Sequence, residues 1–259
     1  MRDGHVQIEA IPAFSDNYIW LLTVAGSRDC AVVDPGDAQP VLERLRARDL
    51  HLRYILLTHH HADHTGGVGP LLQAYDATVF GPDDPRIGTA HTICRQDDVV
   101  DLPELGLTLR VLEVPAHTRS HIAYYGDNVL FPGDTLFSIG CGRFFEGTPA
   151  DMQTSLDKLS KLPGATRIYC AHEYTQSNCA FALAVEPGNA ALRKRAGEVD
   201  ALRAAGKTTL PSTLGDELAA NPFLRTRERS VVEAAREIDP RTAPGTATMA
   251  VIRAWKDRF

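Results

Sequence analysis

The stretch THHHADHTGG at residues 58–67 places four histidines and an aspartate within six consecutive positions. Imidazole and carboxylate groups are ligands for zinc, iron and manganese, so the chemistry this run suggests is metal-assisted. It follows YILLT, a run suited to a buried strand, and precedes TGGVGPLLQAY, whose glycines permit a tight turn into a helix. Side chains alternate along an extended segment, so His59 and His61 point one way and His60 the other. Asp63 and His64, in the turn that follows, face back toward the same space.

Three more metal-competent residues recur in the same setting. An apolar run over residues 109–115 leads to His117, one over 129–131 leads through Pro132 and Gly133 to Asp134, and one over 167–170 leads to His172. A lone histidine ordinarily reads as structural, but ligands supplied at successive strand ends converge on one edge of a sheet, where open α/β folds bind their ligands. Five histidines and two aspartates are too many for one tetrahedral zinc and suit two ions sharing a carboxylate. His60 and His121 lie beside these residues but out of phase, which suits a supporting role. Asp34, at the end of CAVVD, reads as the partner of a ligand histidine or as an ordinary turn aspartate. His5, His51 and His91 have no such setting.

The elements that must position these residues are short. Apolar strands are predicted at 18–24, 30–33, 54–57, 107–114, 122–125, 129–131 and 167–170, with a hairpin turn at Gly126-Asp127-Asn128. PVLERLRARD reads as an amphipathic helix, and Thr148-Pro149 as the capped start of another. After about Tyr174 the strand signal stops. Helical patterns follow in TQSNCAFALAVE, NAALRKRAGEVDALRAAG, STLGDELAA, RSVVEAARE and TATMAVIRAWKDRF. The expected organisation is an α/β domain over residues 1–173 and a helical domain over 174–259.

The chain of 259 residues is 44% hydrophobic and 23% charged, with a formal net charge of -6. That balance gives no general field for holding polyphosphate chains, which argues against nucleic acid as a partner. An anionic substrate needs a local basic pocket. The five cysteines are scattered and contain no C-x-x-C pair, as suits reduced thiols. Neither a leader peptide nor a membrane-spanning run is visible. The expectation is a cytoplasmic monomer.

The run His59, His61, Asp63, His64, followed in order by His117, Asp134 and His172, resembles the H-x-H-x-D-H signature of the metallo-β-lactamase superfamily. Within it, FSDNYIW, FPGDTLFSIGCGRFFEGT, CAHEYTQSN, NPFLR and RAWKDRF look like the glyoxalase II family, the hydroxyacylglutathione hydrolases. The resemblance spans essentially the whole chain and implies an αββα sandwich followed by an all-helical domain. It implies that His59, His61 and His117 hold one divalent ion and Asp63, His64 and His172 another, with Asp134 and a hydroxide bridging them. Zinc is the first expectation, iron or manganese the others. A bound ion can lower the pKa of water from 15.7 to about 7, so no serine or cysteine nucleophile is needed. The implied reaction is hydrolysis of S-lactoylglutathione to glutathione and D-lactate, the second step of methylglyoxal detoxification. Its thiolate leaving group, from a thiol of pKa ~8.5, needs little help from a general acid.

The resemblance also implies a glutathione site at Arg143, Phe145, His172, Tyr174, Arg253 and Lys256. Arg253 and Lys256, three apart on a helix, share a face and are placed to clamp the glycyl carboxylate. Three positions depart from the family pattern. Arg143 stands for lysine, Phe145 for tyrosine and Ser120 for glycine. The alternatives are a glutathione persulfide dioxygenase with a single iron on the same fold, and a catalytically silent metal-binding module.

Overall fold

A computed structural model describes residues 6–89 and 92–259, so His5 and His91 lie outside the described residues. The chain divides into two compact units. One takes the chain up to Glu113 together with Ser120–Gly133, and the other takes Val114–Arg119 together with Asp134–Phe259.

The first unit contains β1 (Val6–Ala13), β2 (Asn17–Val24), β3 (Asp29–Val33), α1 (Ala38–Ala47), β4 (His51–Leu56), α2 (Ala62–Thr65), α3 (Val68–Ala74), β5 (Thr78–Pro82), β6 (Thr92–Cys94), β7 (Val99–Leu102), β8 (Leu107–Glu113), β9 (Ile122–Gly126) and β10 (Val129–Phe131). Strands β1 to β6 form one sheet in chain order, antiparallel through β3 and parallel from β3 onward. Strands buried on both faces read as continuous apolar runs, which is why AVV and YIL show no alternation. On one face, Ile19, Leu21, Cys30, Val32, Leu52 and Ile55 pack with Val41 and Leu45 of α1 and Val68 and Leu71 of α3. On the other, Trp20, Leu22, Ala31, Val33 and Leu56 are equally buried.

Strands β7 to β10 run antiparallel as part of a second sheet. From it, the Tyr124 hydroxyl donates to the Leu57 carbonyl at 2.9 Å, beside the THHHADHTGG run. Gly126 pairs with Val129, and Asp127 and Asn128 have φ of 49° and 55°. This double left-handed geometry matches the right-handed twist of the flanking strands.

The second unit contains β11 (Leu136–Phe137), β12 (Gly140–Cys141), α4 (Pro149–Leu159), β13 (Arg167–Ile168), α5 (Thr175–Val185), α6 (Ala190–Ala204), β14 (Ser212–Thr213), α7 (Leu214–Ala220), α8 (Arg229–Ile238) and α9 (Thr246–Lys256). Thr148 and Asp151 close a reciprocal cap at the start of α4. Ile139, at the tip of the β11–β12 hairpin, joins Cys179, Ala182, Leu192, Ala196, Val199 and Ala220 in the helical core. Its backbone has φ 57°, and its amide donates to buried Glu217 at 2.7 Å. Asn178 and Asn221 donate to the carbonyls of Ser138, Phe137 and Gly140 in the same hairpin. Two strand expectations change. The strand predicted at 167–170 is only Arg167–Ile168, and it pairs antiparallel with Ser212–Thr213, where the sequence predicts helix. Two residues are too few for alternation to register. Among the described residues no helix is long and apolar enough to cross a membrane, and all five cysteines are buried as free thiols.

Candidate metal centre

In the first unit the site begins where β3 ends. Asp34 leaves the strand with φ 50°, and its buried carboxylate accepts from the Thr58 amide at 2.8 Å and the Thr58 hydroxyl at 2.7 Å. It also lies 3.0 Å from His64 Nδ1. A carboxylate there keeps the imidazole proton on Nδ1 and leaves Nε2 able to ligate. Thr58 spends its one hydroxyl proton on Asp34, so its oxygen accepts from His59 Nδ1 at 3.0 Å. Asp34 therefore sets the tautomer of His64 directly and that of His59 through Thr58.

The freed nitrogens converge. His59 Nε2 lies 3.0 Å from His61 Nδ1, and His64 Nε2 lies 3.4 Å from Asp63 Oδ2. Asp63 and His64 sit on the one-turn helix α2, in place of the predicted turn, with His61 at its N-terminus. Asn17 donates to Asp63 Oδ2 at 3.0 Å. A Cβ at Gly36 would stand 1.8 Å from the Asp63 carbonyl oxygen, so only glycine lets the chain pass there. Neither Asn17 nor Gly36 was singled out from the sequence, because each acts on a residue far along the chain. His121 stacks on His59 at 4.6 Å and donates Nδ1–H to the Ile122 carbonyl. His60 turns instead toward Asp84, with Nδ1 3.4 Å from Oδ2.

In the second unit, His117 donates Nδ1–H to the Arg143 carbonyl at 3.0 Å, which leaves Nε2 unprotonated and able to ligate. That Nε2 lies 3.4 Å from Asp134 Oδ2, and His172 Nε2 lies 3.3 Å from the same oxygen. A Cβ at Gly142 would stand 1.9 Å from the Asp134 carbonyl oxygen. Tyr174 stacks on the His172 ring at 4.7 Å, and Phe145, 62% exposed, meets His117 edge-on at 5.2 Å.

These separations test whether a cation fits. Two donors each about 2.0–2.2 Å from a tetrahedral zinc stand roughly 3.3–3.6 Å apart. The three imidazole–carboxylate pairs, at 3.3 to 3.4 Å, match that edge and exceed an ordinary hydrogen bond. The donor set within each unit therefore fits a divalent cation.

The predicted glutathione residues also lie in the second unit, but Arg253 is not on a solvated face. It is 5% exposed, with Nη1 donating to the Cys141 carbonyl at 2.9 Å and Nη2 to Asp257 at 3.0 Å. Its guanidinium sits 5.3 Å over the Phe223 ring, and Lys256 Nζ sits 5.1 Å over Phe181. Burial, helped by the Arg253 charge, pushes the Lys256 ammonium down to about 8. Arg143 Nε lies 3.4 Å from Asp257, so this unpredicted carboxylate joins the two arginines.

A family profile described as "Metallo-beta-lactamase superfamily" matches residues 14–86 and 95–172, and one described as "Hydroxyacylglutathione hydrolase C-terminus" matches residues 173–259. The hydroxyacylglutathione hydrolase of Ectopseudomonas mendocina is 52% identical over 258 residues, covering 98% of this chain and all (100%) of that protein. The one from Pseudomonas aeruginosa PAO1 is 52% identical over 262 residues, with coverage of 98% and 100%. Among solved structures, ETHE1 from Myxococcus xanthus aligns with a TM-score of 0.64 at 24% identity, over 97% of this chain and 98% of its own, a likeness of fold alone. The fold is accordingly the α/β metallo-β-lactamase fold with a C-terminal helical region. The chain belongs to the hydroxyacylglutathione hydrolase family of the metallo-β-lactamase superfamily.

Proposed function

We propose that the protein is a metal-dependent thioesterase that hydrolyses S-(2-hydroxyacyl)glutathione, S-lactoylglutathione foremost, to glutathione and a 2-hydroxy carboxylate. The observation that carries this reading is Asp134, one carboxylate oxygen facing two imidazole nitrogens at nearly equal distances of 3.4 and 3.3 Å. Such an oxygen suits a carboxylate shared by two cations. The names borne by relatives at about half identity supply the substrate class.

In this reading His59, His61 and His117 hold one ion, Asp63, His64 and His172 the other, and Asp134 serves both. Zinc suits the set first, with iron or manganese as alternatives. When bound, such ions supply a water acidic enough to be the nucleophile near neutral pH and positive charge for the tetrahedral oxyanion. The chain's own residues do the rest. Asp34 and Thr58 hold His64 and His59 in the ligating tautomer, the Arg143 carbonyl does so for His117, and Asn17 aims Asp63. Arg143, Phe145, Tyr174, Arg253 and Lys256 bind the glutathione moiety. Residues 1–173 then form the metal-binding catalytic domain, which also offers Arg143 and Phe145 to the substrate, and 174–259 the helical substrate-binding domain, in a cytoplasmic monomer that binds no nucleic acid.

The test measures metal content and S-lactoylglutathione cleavage by purified protein, with and without chelator. Two metals per chain and chelator-sensitive hydrolysis are expected. Metal-loaded protein that leaves the thioester intact, or that consumes oxygen with glutathione persulfide instead, would overturn the reading.

A further inference from the structure

Asp84, in the first unit, is 4% exposed and is not needed to bind metal or substrate in the reading given. Its carboxylate is heavily engaged. Arg86 binds it through Nε at 2.8 Å and Nη2 at 2.7 Å, and the Arg86 amide donates at 3.0 Å. The Ser120 hydroxyl donates to Oδ2 at 2.5 Å, and His60 Nδ1 lies 3.4 Å from the same oxygen. The Arg86 guanidinium, followed by the Ser120 hydroxyl, holds the carboxyl well below the usual range, so it stays ionised.

What gives this cluster meaning is who its neighbours are. His60 lies between His59 and His61 in the chain, and Ser120 precedes His121, whose ring stacks on His59 at 4.6 Å. Asp84 thus contacts the side chain of the residue that follows His59, through His60, and that of the residue that precedes His121, through Ser120. The glycine that the family pattern places at residue 120 has no hydroxyl to offer. Ser120 therefore gives this chain a tie that glycine cannot make.

We propose that Asp84 is a positioning residue for the metal centre, which, through Ser120 and His60, locks His59 and His61 in the orientation that receives a cation. The proposal rests on the metal-dependent hydrolase reading and adds a residue to it. Partners that orient metal ligands from outside typically cost about 10–100-fold in metal affinity when removed.

The experiment measures metal affinity of the whole protein by competition with a chromophoric chelator, for the wild type and for Asp84→Ala, Ser120→Ala, Ser120→Thr and Asp83→Ala. Asp83 pairs instead with Arg95 at 2.6 Å and serves as the neighbouring control. One of the two binding steps should weaken about tenfold or more in Asp84→Ala and Ser120→Ala. Ser120→Thr, which keeps the hydroxyl, and Asp83→Ala should retain wild-type affinity. If Asp84→Ala does not fold, Ser120→Ala against Ser120→Thr decides. Wild-type affinity in Ser120→Ala and Asp84→Ala overturns the proposal while leaving the hydrolase reading intact. Wild-type protein that takes up no metal overturns that reading itself.

Discussion

Arg253 Nη1 donates to the Cys141 carbonyl at 2.9 Å and so ties α9 to β12 across 112 residues of chain. A guanidinium held this way is part of the fold, and in the proposed function it is also a preorganised partner for the substrate's carboxylate. Losing a charged hydrogen bond costs about 1.5–3 kcal/mol, equivalent to a fall in Tm of roughly 3–12 °C for a chain of this size. Arg253→Ala should therefore lower Tm by that amount and raise KM for S-lactoylglutathione with a smaller effect on kcat. Calorimetry and steady-state kinetics on one preparation separate the two effects. An unchanged KM would remove Arg253 from the substrate site and leave it a structural role only.

The role proposed for Lys256 would make substrate binding pH-sensitive. Burial beside Arg253 brings its pKa down to about 8, so it is charged below that pH and neutral above it. Attraction for the substrate carboxylate is then present at pH 7 and lost as pH rises through about 8. KM should climb between pH 7 and 9. In Lys256→Arg, whose guanidinium keeps its charge, the climb should flatten. A KM profile identical in the two proteins would show that Lys256 does not meet the substrate.

What was legible in the sequence is what short-range pattern carries. Val129 to Phe131 was read to the residue, and α5, α6, α8 and α9 to within a residue or two at most ends. The seven metal candidates stood out because each ends an apolar run. Contacts between distant residues leave no such trace. Asn17 reaches Asp63 across 46 positions, and Asp84 reaches Ser120 across 36. Asp257, by contrast, sits within RAWKDRF, where a carboxylate among basic residues reads as a solvated charge until Arg143 and Arg253 are seen around it. The burial of Arg253 is hidden for the same reason. Helical spacing shows which residues share a face but not whether that face meets water or Phe223.

Asp134 offers a sharper test of the two-ion reading. Its Oδ2 lies 3.4 Å from His117 Nε2 and 3.3 Å from His172 Nε2. Asp134→Ala should lower the metal content of both sites together and reduce kcat by more than the roughly 10–100-fold cost of losing an outlying partner. Elemental analysis of the purified variant reads the first effect. Loss of a single ion, with the other retained at full occupancy, would mean that the carboxylate is not shared.

Phe145 sits edge-on to His117 at 5.2 Å and is 62% exposed, at the position where the family pattern has tyrosine. Exposure leaves room for a hydroxyl without crowding the ring. If that position faces the glutathione moiety, Phe145→Tyr adds one hydrogen bond worth about 0.5–1.5 kcal/mol. For a contact equal in ground and transition states, KM should fall about two- to tenfold with kcat unchanged. Kinetics with S-lactoylglutathione at fixed metal occupancy measure this directly. A KM that does not move would place the Phe145 ring away from glutathione and leave Arg143, Tyr174, Arg253 and Lys256 to recognise it.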